Sequence, residues 1–146
     1  MTAFTFATPV RFADVDHAGI VYYPRYFHLF HLAFEELWRT RIGARAYADL
    51  IDRERIGFPA VHAACDFQAP LRFGDTAEID LGVATIGTKS ITFHYRVYRG
   101  AEPGDAQGRT LCADGKVVCA VVDLARFVGV PVPDHIRTLI ADLVEA

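Results

Sequence analysis

The sequence predicts an α+β fold, one long central helix wrapped by a curved antiparallel sheet of about five strands. Three observations predict it. Residues 26–38 are apolar on nearly every face of a helix, with only His28, His31, Glu35 and Glu36 interrupting, and such a helix has to be buried on most sides. From Pro59 to Val122 the chain alternates apolar and polar residues with a period of two, the mark of antiparallel sheet with one covered face. The helix needs cover all round and the sheet needs cover on one face, so wrapping one around the other satisfies both.

Taken in order, Phe4, Phe6, Thr8, Val10 and Phe12 alternate with Thr5, Ala7, Pro9 and Arg11, a first strand leading into a loop at Asp14. Pro9 lacks an N–H for the ladder, which puts this strand at a sheet edge or a bulge. Pro24 fits the first turn of the central helix, where the missing N–H costs nothing, and the helix runs to about Thr40 with Gly43 as its stop. His28 and His31 read as core or interface residues rather than ligands. Arg45 to Gly57 reads as a short helix or loop, a solvated connection with Asp52-Arg53-Glu54-Arg55 outside. Val61, Ala63, Cys65 and Phe67 mark a strand with one buried face. So do Ala77, Ile79, Leu81 and Val83, and again Ile91, Phe93, Tyr95 and Val97. Gly74-Asp75 and Gly87-Thr88-Lys89 supply turns, and Gly100 to Gly108 a polar hairpin loop. Leu111 to Val122 is more evenly apolar, which places it near the sheet centre. After Pro131 and Pro133, the residues Ile136, Leu139, Ile140, Leu143 and Val144 follow the spacing of a terminal amphipathic helix.

At 146 residues the chain fits a single domain, residues 1–146, long enough to bury roughly two thirds of its unfolded surface. It is 52% hydrophobic and 23% charged with both signs interspersed, a globular rather than disordered composition. The net charge of −3 and the absence of a Lys/Arg run leave no electrostatic footprint for nucleic acid. Cys65, Cys112 and Cys119 are odd in number, lack CxxC spacing and lie in apolar strand segments, so they read as reduced core residues. No leader pattern and no stretch of about 18 apolar residues occurs. A cytoplasmic protein without membrane segments is expected.

The remaining elements are organised around Asp14-Val15-Asp16-His17-Ala18-Gly19-Ile20-Val21-Tyr22-Tyr23-Pro24. Two carboxylates and an imidazole stand directly before a buried helix, whose first N–H groups, near Tyr23, form the positive end of its dipole. This D-x-D-x-x-G-I-V-x-Y-P run, continued by Arg25 and Tyr26, resembles the signature of the 4-hydroxybenzoyl-CoA thioesterase family. The resemblance is close over the first forty residues and extends to the strand order of most of the remainder. It implies the hotdog fold, Asp16 as the catalytic carboxylate, and the Tyr23 backbone N–H as the group that polarises the thioester carbonyl. It further implies that Gly19 lets the loop approach an acyl-CoA substrate, and that the protein is a homodimer or homotetramer with sites at subunit interfaces. His17 fills a position that varies in the family and is a candidate substrate contact.

The residues support that chemistry in their own right. A thioester carbonyl is electrophilic and its sulfur leaves readily, so a positioned carboxylate and an oxyanion donor suffice. Asp16 attacks directly or activates a water, and the sequence leaves both open. Asp14 reads as a loop or capping carboxylate. Phosphates of coenzyme A call for cations and polar donors, for which Thr88, Lys89 and Ser90 are the choice, with Arg72, Arg96, Arg99 and Arg126 as further candidates. No cofactor is called for. A metal site from Asp14, Asp16 and His17 would need distant partners to complete its shell. The rival readings are a hydratase or dehydratase of acyl thioesters on the same fold, a D-x-D phosphatase, and a non-catalytic acyl-thioester binding module. The phosphatase would require the motif at a parallel strand end followed by βαβ alternation. That pattern does not follow here.

Overall fold

A computed structural model describes residues 3–105 and 108–146. The first strand is β1 (Phe4–Pro9), a 3-10 turn follows at Phe12–Asp14, and the central helix α1 covers Arg25–Ile42. Next come α2 (Ala44–Asp52), β2 (Ile56–Gly57), β3 (Ala60–Phe67), β4 (Thr76–Ile86), β5 (Ser90–Arg99) and β6 (Thr110–Ala120). Two short strands, β7 (Val122–Asp123) and β8 (Val128–Gly129), precede α3 (Asp134–Ile140) and a closing 3-10 turn, Ala141–Leu143. The main sheet has the order β1-β4-β5-β6-β3, and every neighbouring pair is antiparallel. The three shortest strands form a second sheet, β2-β7-β8. The fold is the expected α+β arrangement, with α1 packed on the main sheet.

The core forms where α1 meets the inner face of β4, β5 and β6. Phe30 stacks on Tyr95 with ring centroids 4.6 Å apart, and Phe34 meets Phe93 edge-on at 5.3 Å. Gly115 makes this contact possible, because a Cβ there would lie 2.6 Å from the Phe30 ring. Trp38, Leu37 and Ala33 are fully buried. The polar helix positions His28 and His31 are exposed rather than core, and His31 lies 3.3 Å from Glu35 one turn on. Gly43 ends α1 at φ +92° and donates its N–H to the Arg39 carbonyl.

Several expectations are corrected. The first strand stops at Pro9, at the sheet edge, and Phe12 is exposed. The more evenly apolar β6 does lie near the sheet centre, between the central β5 and the edge strand β3. That strand has no buried face: Val61 and Phe67 are 64% and 49% exposed, and only Cys65 is partly covered. Its period-two pattern is real, but α1 does not reach across to cover it. The segment read as a solvated connection contains an amphipathic helix, α2, that buries Leu50. The terminal helix ends at Ile140, and Leu143 is buried from the 3-10 turn that follows. Residues 106 and 107 of the Gly100 to Gly108 loop lie outside the described residues. All three cysteines are free, and burial pushes the thiols of Cys65 and Cys119 up to about 11. Among the described residues no helix is long and apolar enough to cross a membrane.

Candidate active site

The loop from β1 to α1 is folded back on itself as a narrow hairpin. Val15 bridges Val21 in antiparallel sense. The Asp16 N–H donates to the Ile20 carbonyl at 3.0 Å, and the Gly19 N–H donates to the Asp16 carbonyl at 2.9 Å. Gly19 adopts φ +83° at the tip, a left-handed conformation that glycine adopts without penalty. The Val21 N–H donates to the Leu71 carbonyl at 2.8 Å, tying the hairpin to the segment that follows β3.

Asp16 stands on the outgoing arm. Its Oδ1 accepts the Ala18 N–H at 2.8 Å, a local turn-forming contact typical of aspartate. Its Oδ2 has no hydrogen bond among the described residues, and the side chain is exposed. The turn role and a carboxylate oxygen open to a ligand therefore coexist in one residue. His17, next to it, is also exposed.

Tyr23 stands on the return arm, at the start of α1. The Tyr22 N–H donates to the Asp14 carbonyl at 2.9 Å, the Arg25 N–H to the Tyr22 carbonyl at 2.8 Å, and the Tyr26 N–H to the Tyr23 carbonyl at 3.3 Å. Pro24 has no N–H. The Tyr23 N–H is thus left without an acceptor among the described residues, at the helix end that favours negative charge. Beside it opens an apolar cavity of about 430 Å³ lined by Ile20, Val21, Tyr26, Phe67 and Pro70. A second apolar cavity, of about 350 Å³, lies under Phe27, Phe30, Phe34 and Phe58 at the Ala60 end of β3.

Asp14 differs from Asp16 in every respect. It is 7% exposed, its Oδ2 accepts the Arg11 N–H at 2.8 Å, and its Oδ1 accepts Arg25 Nε at 3.1 Å and Nη2 at 2.6 Å. Burial by itself would raise its pKa. The Arg11 N–H and the Arg25 guanidinium outweigh burial and hold the carboxyl below its ordinary value of 3.8. Asp14 is therefore the structural carboxylate of the pair, as expected. Asp14, Asp16 and His17 do not converge, and among the described residues no group of three His, Cys, Asp or Glu side chains could hold a metal ion.

Thr88, Lys89 and Ser90 lie at the opposite end of the sheet from this hairpin. Val10 bonds to Asp75 at the start of β4, whereas the turn follows Ile86 at its end, about 35 Å away for a strand of 11 residues. Within one chain the turn and the hairpin cannot touch the same ligand. Of the four arginines, Arg96 pairs with Asp114 and Glu145, Arg126 with Asp123, and Arg99 donates to the Pro70 carbonyl at 3.1 Å. Arg72 adjoins Leu71 beside the hairpin, and its side chain has no ion pair among the described residues.

The family model for the thioesterase-like superfamily matches residues 10–140, a span that includes the hairpin, α1 and the whole sheet except β1. The chain belongs to the thioesterase-like superfamily. It has the hotdog fold, and the matched span contains the hairpin with Asp14 and Asp16. A 1,4-dihydroxy-2-naphthoyl-CoA hydrolase of Synechococcus elongatus is 31% identical to this thioesterase over 117 residues, 80% of this chain and 85% of the relative. The crystal structure of a 1,4-dihydroxy-2-naphthoyl-CoA thioesterase from Synechocystis superposes with a TM-score of 0.82 at 26% identity, covering 97% of each chain. A 4-hydroxybenzoyl CoA thioesterase complexed with 4-hydroxybenzoyl CoA superposes with a TM-score of 0.83 at 22% identity, over 96% of this chain and 99% of that one, a likeness of fold.

Sequence reasoning missed Arg25. The available signal was a cation in the first turn of a helix, where the dipole disfavours it, so an anionic partner was called for. The cavity residues after β3, including Ala69 and Pro70, carried no signal, because only the fold brings them to Tyr23.

Proposed function

We propose that this thioesterase hydrolyses an aromatic acyl-CoA to the free acid and CoA, with Asp16 supplying the carboxylate and the Tyr23 N–H receiving the carbonyl oxygen. The observation that carries the proposal is the pairing of one unspent backbone donor at a helix start with one unspent carboxylate oxygen on the facing arm of the same hairpin. As the thioester carbon becomes tetrahedral, negative charge gathers on its oxygen, which the Tyr23 N–H stabilises at the positive end of α1. The C–S bond then breaks, and CoA leaves as a thiolate that takes up a proton. The new bond to carbon comes from an Asp16 oxygen or from a water that Asp16 deprotonates; both routes consume one water and release one acid and one thiol. Gly19 keeps the hairpin tip narrow, and His17 borders the substrate. The apolar cavity beside Tyr23 takes the aromatic ring, in keeping with the aromatic acyl-CoA named for the relatives above.

The working unit we propose is a single-domain subunit in a homodimer joined through β3. An eight-residue edge strand with exposed Val61 and Phe67 is a liability unless it is paired. Antiparallel pairing of two β3 edges sets the Phe67 end of one copy against the Ala60 end of the other. The cavity beside Tyr23 in one subunit then adjoins the Phe27–Phe34 cavity of its partner. The same operation carries the partner's Thr88-Lys89-Ser90 turn to the hairpin's end of the sheet, because that turn and Ala60 share an end through Cys119 and Ala120. A second copy thereby gives these three residues a role in binding CoA phosphates that one chain cannot give them.

The test is thiol release from a panel of aromatic and aliphatic acyl-CoAs, with the acyl product identified. Free thiol and free aromatic acid in equal amounts are expected. A hydrated or dehydrated acyl-CoA with no thiol released would instead make the protein a hydratase or dehydratase, and binding without turnover would make it a binding module.

A further inference from the structure

We infer that Arg25 is a positioning residue for the reaction: through Asp14 it fixes the hairpin geometry that leaves the Tyr23 N–H unspent, and it offsets the negative charge that Asp14 places beside that donor. The inference rests on the reading of Asp16 and Tyr23 given above.

Arg25 is the first residue of α1, a position where the helix dipole opposes a cation. Its guanidinium grips Asp14 Oδ1 through both Nε and Nη2, at 3.1 and 2.6 Å. Asp14 is the one residue that touches all three parts of the loop. Its Oδ2 holds the N–H of Arg11 at the exit from β1, its carbonyl takes the N–H of Tyr22 on the return arm, and its Oδ1 holds the first turn of α1. Because Tyr22 gives its N–H to Asp14, the next N–H along the chain, that of Tyr23, is the one left facing outward. Arg25 thus acts on the donor indirectly, through its bonds to Asp14 and Asp14's bond to Tyr22, the residue before Tyr23.

Charge gives the second half of the argument. A 7% exposed carboxylate on the residue whose carbonyl holds the Tyr22 N–H, next in the chain to the oxyanion donor, would oppose the negative charge that the donor has to stabilise. The guanidinium neutralises it where it lies and leaves Asp16 as the net charge that the hairpin presents. A lysine at position 25 would keep the charge but lose the two-pronged grip.

The experiment compares kcat, KM and Tm for thiol release from the best acyl-CoA by wild type, Arg25→Met, Arg25→Lys, Asp14→Asn/Arg25→Met and Asp16→Asn. Arg25→Met is expected to lower kcat about ten- to a hundredfold, the scale of a small misplacement of a reacting group, with KM changed less than about threefold. Arg25→Lys should recover part of the loss. The double variant should exceed Arg25→Met, since the uncompensated charge is gone. Wild-type kcat in Arg25→Met overturns the inference. So does a loss shared equally by Arg25→Met, Arg25→Lys and the double variant and tracked by Tm, the signature of a purely structural pair. Asp16→Asn separates the two levels: if it retains wild-type kcat the thioesterase site itself is misassigned, whereas if it is inactive beside a fully active Arg25→Met, only the role of Arg25 fails.

Discussion

Asp14 and Asp16 are two residues apart and have opposite fates. Both carboxylate oxygens of Asp14 are hydrogen-bonded and its side chain is buried, whereas Asp16 keeps one oxygen free. The lowered pKa of Asp14 makes the Arg25 pair a source of acid sensitivity. Its contribution to stability is complete above the ordinary carboxylate value of 3.8 and is lost as pH falls through the lowered folded-state value. The urea midpoint, followed from about pH 7 to about pH 2, should therefore fall more steeply at the acid end for wild type than for Asp14→Asn, which should be less stable at neutral pH. Gly19→Val should lower kcat by about tenfold or more, because a β-branched residue is strained at φ +83°; a wild-type kcat would show that the tip geometry is irrelevant. At this scale the turn at Asp16 and Gly19 was legible because turn chemistry is local. Arg25 was not, because its meaning depends on where Asp14 comes to lie.

At the scale of elements, the contact of α1 with β5 and β6 decides the fold. Phe30→Ala should cost about 3–5 kcal/mol of stability, as for other large core aromatics, and Gly115→Ala about 1–3 kcal/mol, since the new methyl would press on the Phe30 ring 2.6 Å away. Chemical denaturation measures both. The helix and most strands were readable from period and punctuation. The order of the strands in the sheet was not, because hydropathy reports burial of a face rather than order: evenly apolar β6 announced an interior strand, but nothing in the sequence put β4 and β6 on either side of β5. The period-two pattern of β3 likewise records a face to be covered without saying by what. If a second copy covers it, Val61→Lys, which puts a charge on the exposed edge strand, should convert a dimer to a monomer by sedimentation and lower activity with it. A monomeric wild type with full activity would contradict the proposed pairing.

At the scale of the whole molecule, the two faces of the main sheet have different chemistry. The inner face packs on α1. The outer face carries His94, only 5% exposed, with Nδ1 2.7 Å from Glu145 and Nε2 2.7 Å from Asp114. Glu145 also gives its N–H to the Val83 carbonyl, so the C-terminal tail is fastened to the sheet by backbone and side chain together. Glu145→Ala should cost about 1–3 kcal/mol and speed hydrogen exchange in the tail. These ties lie far along the chain from the Asp16 hairpin. None of them was visible in the sequence, since the three side chains come together only through strand register and the return of the tail.

The central claim is that an exposed carboxylate and an unspent backbone donor, on facing arms of one hairpin, carry out thioester hydrolysis. Its most direct test is kcat for thiol release by Asp16→Asn beside wild type on the best acyl-CoA of the panel, with folding verified by circular dichroism and Tm. The account predicts a folded variant with kcat reduced by about 10²–10⁴-fold; a folded variant that turns over at the wild-type rate would contradict it.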